Sequence, residues 1–193
     1  MTEIELTLEY PAALVNKLKS GELDLALMPV AAMQDVPGAR IVADYGIAAD
    51  GYVGSVALFS MVPIDEIKTV MLDYQSRTSV RLAQLLFEKH WKQNVVFRPA
   101  TENFIEYING TTAAVIIGDR ALKQLTNFEY VYDLAESWKT FTGLPFVFAG
   151  WISNKELPPD FIRRFNEANA EGLNHLPEIA SSFEFPWYDQ LKY

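Results

Sequence analysis

The chain reads as an α/β protein of two lobes, built on mixed, mainly parallel sheets and joined by two crossing hinge strands; three observations carry that reading. Stretches with period-2 alternation are interleaved with stretches of three-to-four spacing, the mark of strands alternating with helices. Strands that follow helices are near-continuous apolar runs, as in a parallel sheet covered on both faces. Two further strands, over residues 51–60 and 144–151, sit where one series of elements gives way to the next, so they are expected to cross between lobes.

In order along the chain, residues 4–10 alternate apolar and polar as a half-buried strand does, and Pro11 opens a helix whose Leu14, Val15 and Leu18 share a face before Ser20-Gly21 stops it. Residues 23–30 follow as an apolar strand, completing a β-α-β unit. Residues 68–73 predict a second such strand, residues 79–91 a helix with Leu82, Leu85 and Leu86 inward, and residues 95–97 another strand. A helix over 103–108 leads through Asn109-Gly110 to the apolar strand 113–117, closed by Gly118-Asp119. A short helix around Trp138 precedes the returning strand, and Pro158-Pro159-Asp160 starts a helix with Phe161, Ile162, Phe165 and Ala168 on one face. The expected lobes are therefore residues 1–54 with 146–193, and residues 55–145.

Composition narrows the function. Half of the 193 residues are apolar, enough to bury a core in one or two domains. A net charge of −9 without a Lys/Arg run repels polyanions, so nucleic acid is not an expected partner. The start carries Glu3 and Glu5 where an export signal needs a basic segment, and the best apolar run, 113–117, is far short of the roughly 18 residues of a membrane span. A cytoplasmic protein with no membrane association is expected. With no cysteine and only His90 and His175, neither a thiolate nor a histidine-rich metal site is available, and no cofactor motif is present. Chemistry must come from carboxylates, hydroxyls, arginines, amides and the backbone.

The strongest local signal is Asp73-Tyr74-Gln75-Ser76-Arg77-Thr78-Ser79, where a strand's C-terminal end meets a helix N-terminus. Free N–H groups and the positive helix end suit a carboxylate or phosphate there. Ser76 or Ser79 as a simple helix cap is the competing reading, and Arg77 tilts the balance towards an anion site. Gly118-Asp119-Arg120 ends another strand: glycine admits a ligand to the backbone, while a tight turn with Asp119 capping the next helix or pairing with Arg120 explains the same residues. Ser55 either offers its hydroxyl to the cleft or satisfies the hinge backbone. Trp138, Phe141, Phe146, Phe148 and Trp151 either line the cleft or fill the core. His90 is placed to complement a helix dipole, and His175 has no visible carboxylate partner.

Several motifs in order, Lys19-Ser20-Gly21-Glu22-Leu23-Asp24 into Met28-Pro29-Val30, Ser55-Val56-Ala57-Leu58-Phe59-Ser60, Asp73 to Ser79, Ile117-Gly118-Asp119-Arg120-Ala121-Leu122, Tyr132-Asp133-Leu134, Trp138 and residues 142–149, resemble the chorismate dehydratase family of the futalosine route to menaquinone. The resemblance covers most of the chain. It implies the two-lobed fold of type II periplasmic binding proteins, used in the cytoplasm by a hydro-lyase that removes water from chorismate to give 3-[(1-carboxyvinyl)oxy]benzoate. Loss of the ring proton and the neighbouring hydroxyl leaves an aromatic ring, so the cleft mainly orients a dianion and stabilises developing charge, with no cofactor. By the same resemblance Ser76, Arg77, Thr78 and Ser79 hold a carboxylate, Ser55 contributes a hydroxyl, and Gly118 with Asp119 closes the other wall; the base is not identified.

The family pattern also has a first strand with a Tyr-Leu-Asn turn ahead of the position of Met1 and a closing segment past Tyr193, so the chain is expected to be trimmed at both ends. An exposed sheet edge would then favour self-association. A non-catalytic two-lobed binding module for a small carboxylate is the alternative, and the effector domain of a regulator a third reading, since all share this plan.

Overall fold

The structure, a computed structural model, describes residues 4–9 and 11–182. Its strands form two sheets. The first has the order β1 (Ala26–Pro29), β8 (Phe146–Ser153), β2 (Arg40–Ala49); the second has the order β5 (Val96–Pro99), β4 (Thr69–Leu72), β6 (Thr112–Ile117), β3 (Val56–Ser60), β7 (Tyr130–Asp133).

The β6 sequence explains its central place. Every second residue serves one face: Ala113 and Val115 join Leu58, Val70, Leu82, Leu86 and Phe87 in one core, while Ala114 and Ile116 join Ala57, Phe59 and Phe104 in another. A strand of uninterrupted small and branched apolar residues fits a sheet covered on both faces. Helix α2 (Arg77–Leu85), prolonged by a π-helical turn over Leu86–His90, covers the first face with α4 (Leu134–Thr142). The smaller sheet is covered by α1 (Pro11–Ser20), whose Leu14, Val15 and Leu18 pack with Ala26, Met28 and Ile152, as their three-to-four spacing predicts. On its outer side, α5 (Pro159–Asn174) sets Phe165 edge-on to Trp151 with centroids 4.9 Å apart, and Asn166 exchanges hydrogen bonds with Asp44. A short α6 (Leu176–Ser181) follows.

The chain passes between the sheets twice, side by side. It leaves β2 at Ala49 for β3, and it returns from α4 into β8; Ala48 pairs with Val147 and Ala49 with Phe146 at this crossing. β8 serves both cores: Phe148 lies in the core of the large sheet and Ile152 in that of the small one. The expected strand 51–60 is thus a crossing segment followed by the shorter β3.

Three expectations change. Parallel pairing is confined to β4 with β5 and β6, and the other four ladders are antiparallel. Apolar continuity reports burial of both faces, and β6, parallel to β4 and antiparallel to β3, shows that it does not report direction. Residues 4–9 form no strand; Ile4, Leu6 and Leu8 stay exposed, and alternation makes a strand only where a neighbour takes up the ladder. The expected end of that strand, Tyr10, and residues 183–193 of the first expected lobe lie outside the described residues. Two strands, β2 and β7, were not expected at all.

Candidate functional site

An open cleft of about 1280 Å³ lies at the crossing. Its walls come from β2 and the crossing segment, the start of α2, the end of β6 with the first turn of α3 (Asp119–Leu122), and β8 at Phe148 and Ala149; Leu176 of α6 stands at its mouth. Strand ends facing helix starts line the space, as in other open α/β sheets.

At the first junction, Ser76 is the N-cap of α2. Its hydroxyl oxygen accepts from the Ser79 amide at 3.1 Å and its proton goes to the Ser79 hydroxyl at 2.8 Å. Capping and cleft lining coincide in one residue. Thr78, buried in the first turn, donates to the Phe148 carbonyl at 2.9 Å and accepts from the Ala31 amide at 3.4 Å, so it ties α2 to β8 and to the turn after β1. Arg77 points elsewhere: its guanidinium pairs with Asp35 at 2.9 Å on the surface and takes no part in the cleft wall.

The arginine that reaches the cleft is Arg120. Its Nη2 donates to both oxygens of Asp73, at 2.9 and 2.8 Å, and to Oε1 of Gln75 at 2.7 Å. Asp73 is fully buried at the end of β4, and its two oxygens also accept from the Gln75 and Ile117 amides, at 2.9 and 3.2 Å. The guanidinium rests over the rings of Tyr74 and Phe104, 5.4 and 5.7 Å from their centroids. Arg120 therefore pairs with Asp73 and not with Asp119, and the Asp119 side chain does not cap α3, whose N-cap is Gly118. Asp119 stands on the cleft wall in the first turn of α3.

Gly118 has φ +65° and ψ −152°, a region that suits glycine alone, and a Cβ built on it meets nothing within 4 Å. Its amide donates to the Ser55 carbonyl at 2.7 Å. Ser55 is buried on the cleft wall beside the glycine turn of the crossing. On the opposite wall Gly46 lets β2 approach β8, since a Cβ there would lie 2.7 Å from the Ala149 carbonyl oxygen. Tyr52 completes the crossing wall; burial foremost, then the charges of Asp133 and Glu136, push its phenol above the ordinary tyrosine value.

Of the seven expected site residues, Ser55, Ser76, Thr78, Ser79, Gly118 and Asp119 come together around one cleft and Arg77 does not. Arg120, Gln75, Gly46 and Tyr52 were not expected there; Arg120 carried a signal, a cation beside a glycine at a strand end, but its partner Asp73 lies 47 residues away. Of the aromatic residues, Phe148 lines the cleft, Phe146 packs between it and Trp138, and Trp151 packs on Phe165. His175 has carboxylate partners after all, Glu171 at 3.1 Å and Glu178 at 3.3 Å, one helical turn to either side on an exposed face. His90 lies against Phe141 with centroids 5.3 Å apart. Among the described residues no group of three His, Cys, Asp or Glu side chains is arranged to hold a metal ion, and no helix is long and apolar enough to cross a membrane.

Comparison with known proteins adds a family. A family model described as menaquinone biosynthesis matches residues 1–184. The chorismate dehydratase of Thermus thermophilus is 32% identical over 194 residues, covering 89% of this chain and 70% of that protein. In solved structures, a protein of Archaeoglobus fulgidus superposes with a TM-score of 0.62 at 18% identity, over 84% of this chain and 61% of the other. An ABC transporter protein of Parabacteroides distasonis gives 0.57 at 14% identity, over 95% and 70%. At such identities these two speak for the fold alone, an α/β fold with mixed sheets.

Proposed function

The chain belongs to the menaquinone biosynthesis family, and from that premise we propose that it is a chorismate dehydratase, a hydro-lyase that converts chorismate into 3-[(1-carboxyvinyl)oxy]benzoate. The observation that carries the reading is the convergence of Ser55, Ser76, Thr78, Ser79, Gly118 and Arg120 on one cleft at the crossing of the two sheets. The reaction removes the proton from the ring carbon that bears the enolpyruvyl ether and hydroxide from its neighbour. The electron pair of the broken C–H bond completes the third ring double bond, and water leaves. Aromatisation supplies the driving force, so the protein's part is orientation and charge stabilisation.

For a dicarboxylate, the start of α2 and the Arg120 guanidinium face the same space. Helix-start amides and the Ser79 hydroxyl, which accepts from Ser76 and keeps its own proton to donate, favour one carboxylate. Arg120, fixed by buried Asp73, presents a positioned cation to the second or to charge developing on the ring. Phe148 and Tyr52 offer apolar surface to the ring. In this reading the lobes are residues 1–54 with 146–193, and residues 55–145, the protein works in the cytoplasm on the futalosine route, and no cofactor takes part.

Incubation with chorismate should yield an aromatic product lighter by one water, detected by mass and by its ultraviolet absorbance. Absence of both product and saturable chorismate binding would overturn the proposal. Binding without product would leave a carboxylate-binding module in its place.

A further inference from the structure

Asp133 ends β7 and is buried; among the described residues its carboxylate oxygens make four hydrogen bonds, all accepted from backbone amides. Its two oxygens divide them evenly. Oδ1 accepts from Ala135 and Glu136, at 3.0 and 2.9 Å, and so caps α4. Oδ2 accepts from Val53 and Gly54, at 3.0 and 2.6 Å, in the crossing segment about 80 residues earlier in the chain. Helix capping accounts for the first pair only.

The second pair bears on the cleft. Gly54 sits at φ +71°, a conformation that favours glycine, and a Cβ there would lie 3.2 Å from the Tyr52 hydroxyl. Ser55 follows directly, and its carbonyl accepts the Gly118 amide at 2.7 Å. A line of hydrogen bonds thus runs from Asp133 through Gly54 and Ser55 to Gly118, and the last two form one wall of the cleft.

We propose that Asp133 is a positioning residue with a divided carboxylate: one oxygen caps α4, and the other fixes the Val53–Gly54 turn and thereby sets Ser55 and Gly118 for the substrate. The inference rests on the reading of this cleft as the chorismate site. It follows that Asp133→Asn, nearly isosteric, cannot serve both tasks, because the amide nitrogen placed at either oxygen position meets two N–H donors. Asparagine is a good N-cap, so its oxygen will stay with α4 and its nitrogen will face Val53 and Gly54. Asp133→Ser keeps a cap and is too short to reach the crossing.

The test is amide hydrogen exchange by NMR together with chorismate kinetics, on the wild-type chain and both variants. In both variants the Val53 and Gly54 amides should exchange at least about tenfold faster, while Ala135 and Glu136 keep wild-type protection. KM for chorismate should rise about tenfold as Ser55 and Gly118 lose their set positions, with kcat changed much less. A purely structural role would lower the active fraction and leave KM alone. Wild-type exchange at Val53 and Gly54 in both variants, or faster exchange there with KM unchanged, overturns the inference. Failure of the wild-type chain to bind or convert chorismate would instead remove the function proposed above, and the exchange pattern would still judge the clamp.

Discussion

Arg120 and Arg77 show what a single residue's surroundings decide. Both are cations at the start of a helix after a strand, yet one pairs with a fully buried carboxylate and the other with an exposed one. Replacing Arg120 with Met leaves buried Asp73 with two amide donors and no cation partner from Arg120; the expected loss is roughly 2–3 kcal/mol, below the full cost of breaking a buried pair because the guanidinium is itself partly exposed. Chorismate affinity should fall at least about tenfold in this variant and also in Arg120→Lys, which keeps the charge without the fork. Arg77→Ala removes a surface pair, so stability should change by less than about 1 kcal/mol and affinity by less than about twofold. Urea denaturation and calorimetric titration check both; an affinity loss with Arg77→Ala alone would reverse the assignment. The sequence pointed to Arg77 because it is adjacent in the chain to the capping serines. Adjacency does not fix side-chain direction, and in the first turn of α2 the Arg77 side chain turns to Asp35, while the partner that makes Arg120 meaningful is brought to it by the pairing of β4 with β6.

Elements differ in how plainly they could be read. α2, β6 and β8 were legible because burial on both faces forces an apolar run, and because Ser76 is a cap that the backbone itself demands. β2 was not: Arg40, Asp44, Tyr45 and Gly46 interrupt any pattern, since the strand is largely exposed and shifts register where Gly46 meets β8. β7 escaped for a similar reason, an edge strand of three half-buried residues ahead of Asp133. The cap of α2 also offers a test that separates its two roles. Ser76→Asp retains an N-cap of equal quality, so stability should stay within about 0.5 kcal/mol, whereas Ser76→Ala should cost about 1 kcal/mol. In the cleft, however, the new carboxylate confronts the anion, and chorismate binding should weaken at least about tenfold, or 1.4 kcal/mol. If Ser76→Asp bound chorismate as well as the wild type, Ser76 would be a cap and nothing more.

At the scale of the whole molecule the decisive element is β8, which begins in the core of the large sheet at Phe148 and ends in that of the small sheet at Ile152. In the small sheet β1 is a four-residue edge strand paired to β8 alone and packed under α1, whereas β6 is buried at the centre of five strands. Sub-global opening should therefore release β1 before β6, with the Leu27 and Met28 amides exchanging through a lower free energy than those of Ala114 and Val115. The two-lobed reading of the cleft then sets the response to ligand. Chorismate held between both walls binds only while they are assembled, so at a hundredfold excess over its Kd it should raise the protection of both groups of amides by up to about 2.7 kcal/mol. A ligand resting on the large sheet alone would raise protection at Ala114 and Val115 and leave β1 as it was, and native-state hydrogen exchange with and without chorismate distinguishes the two.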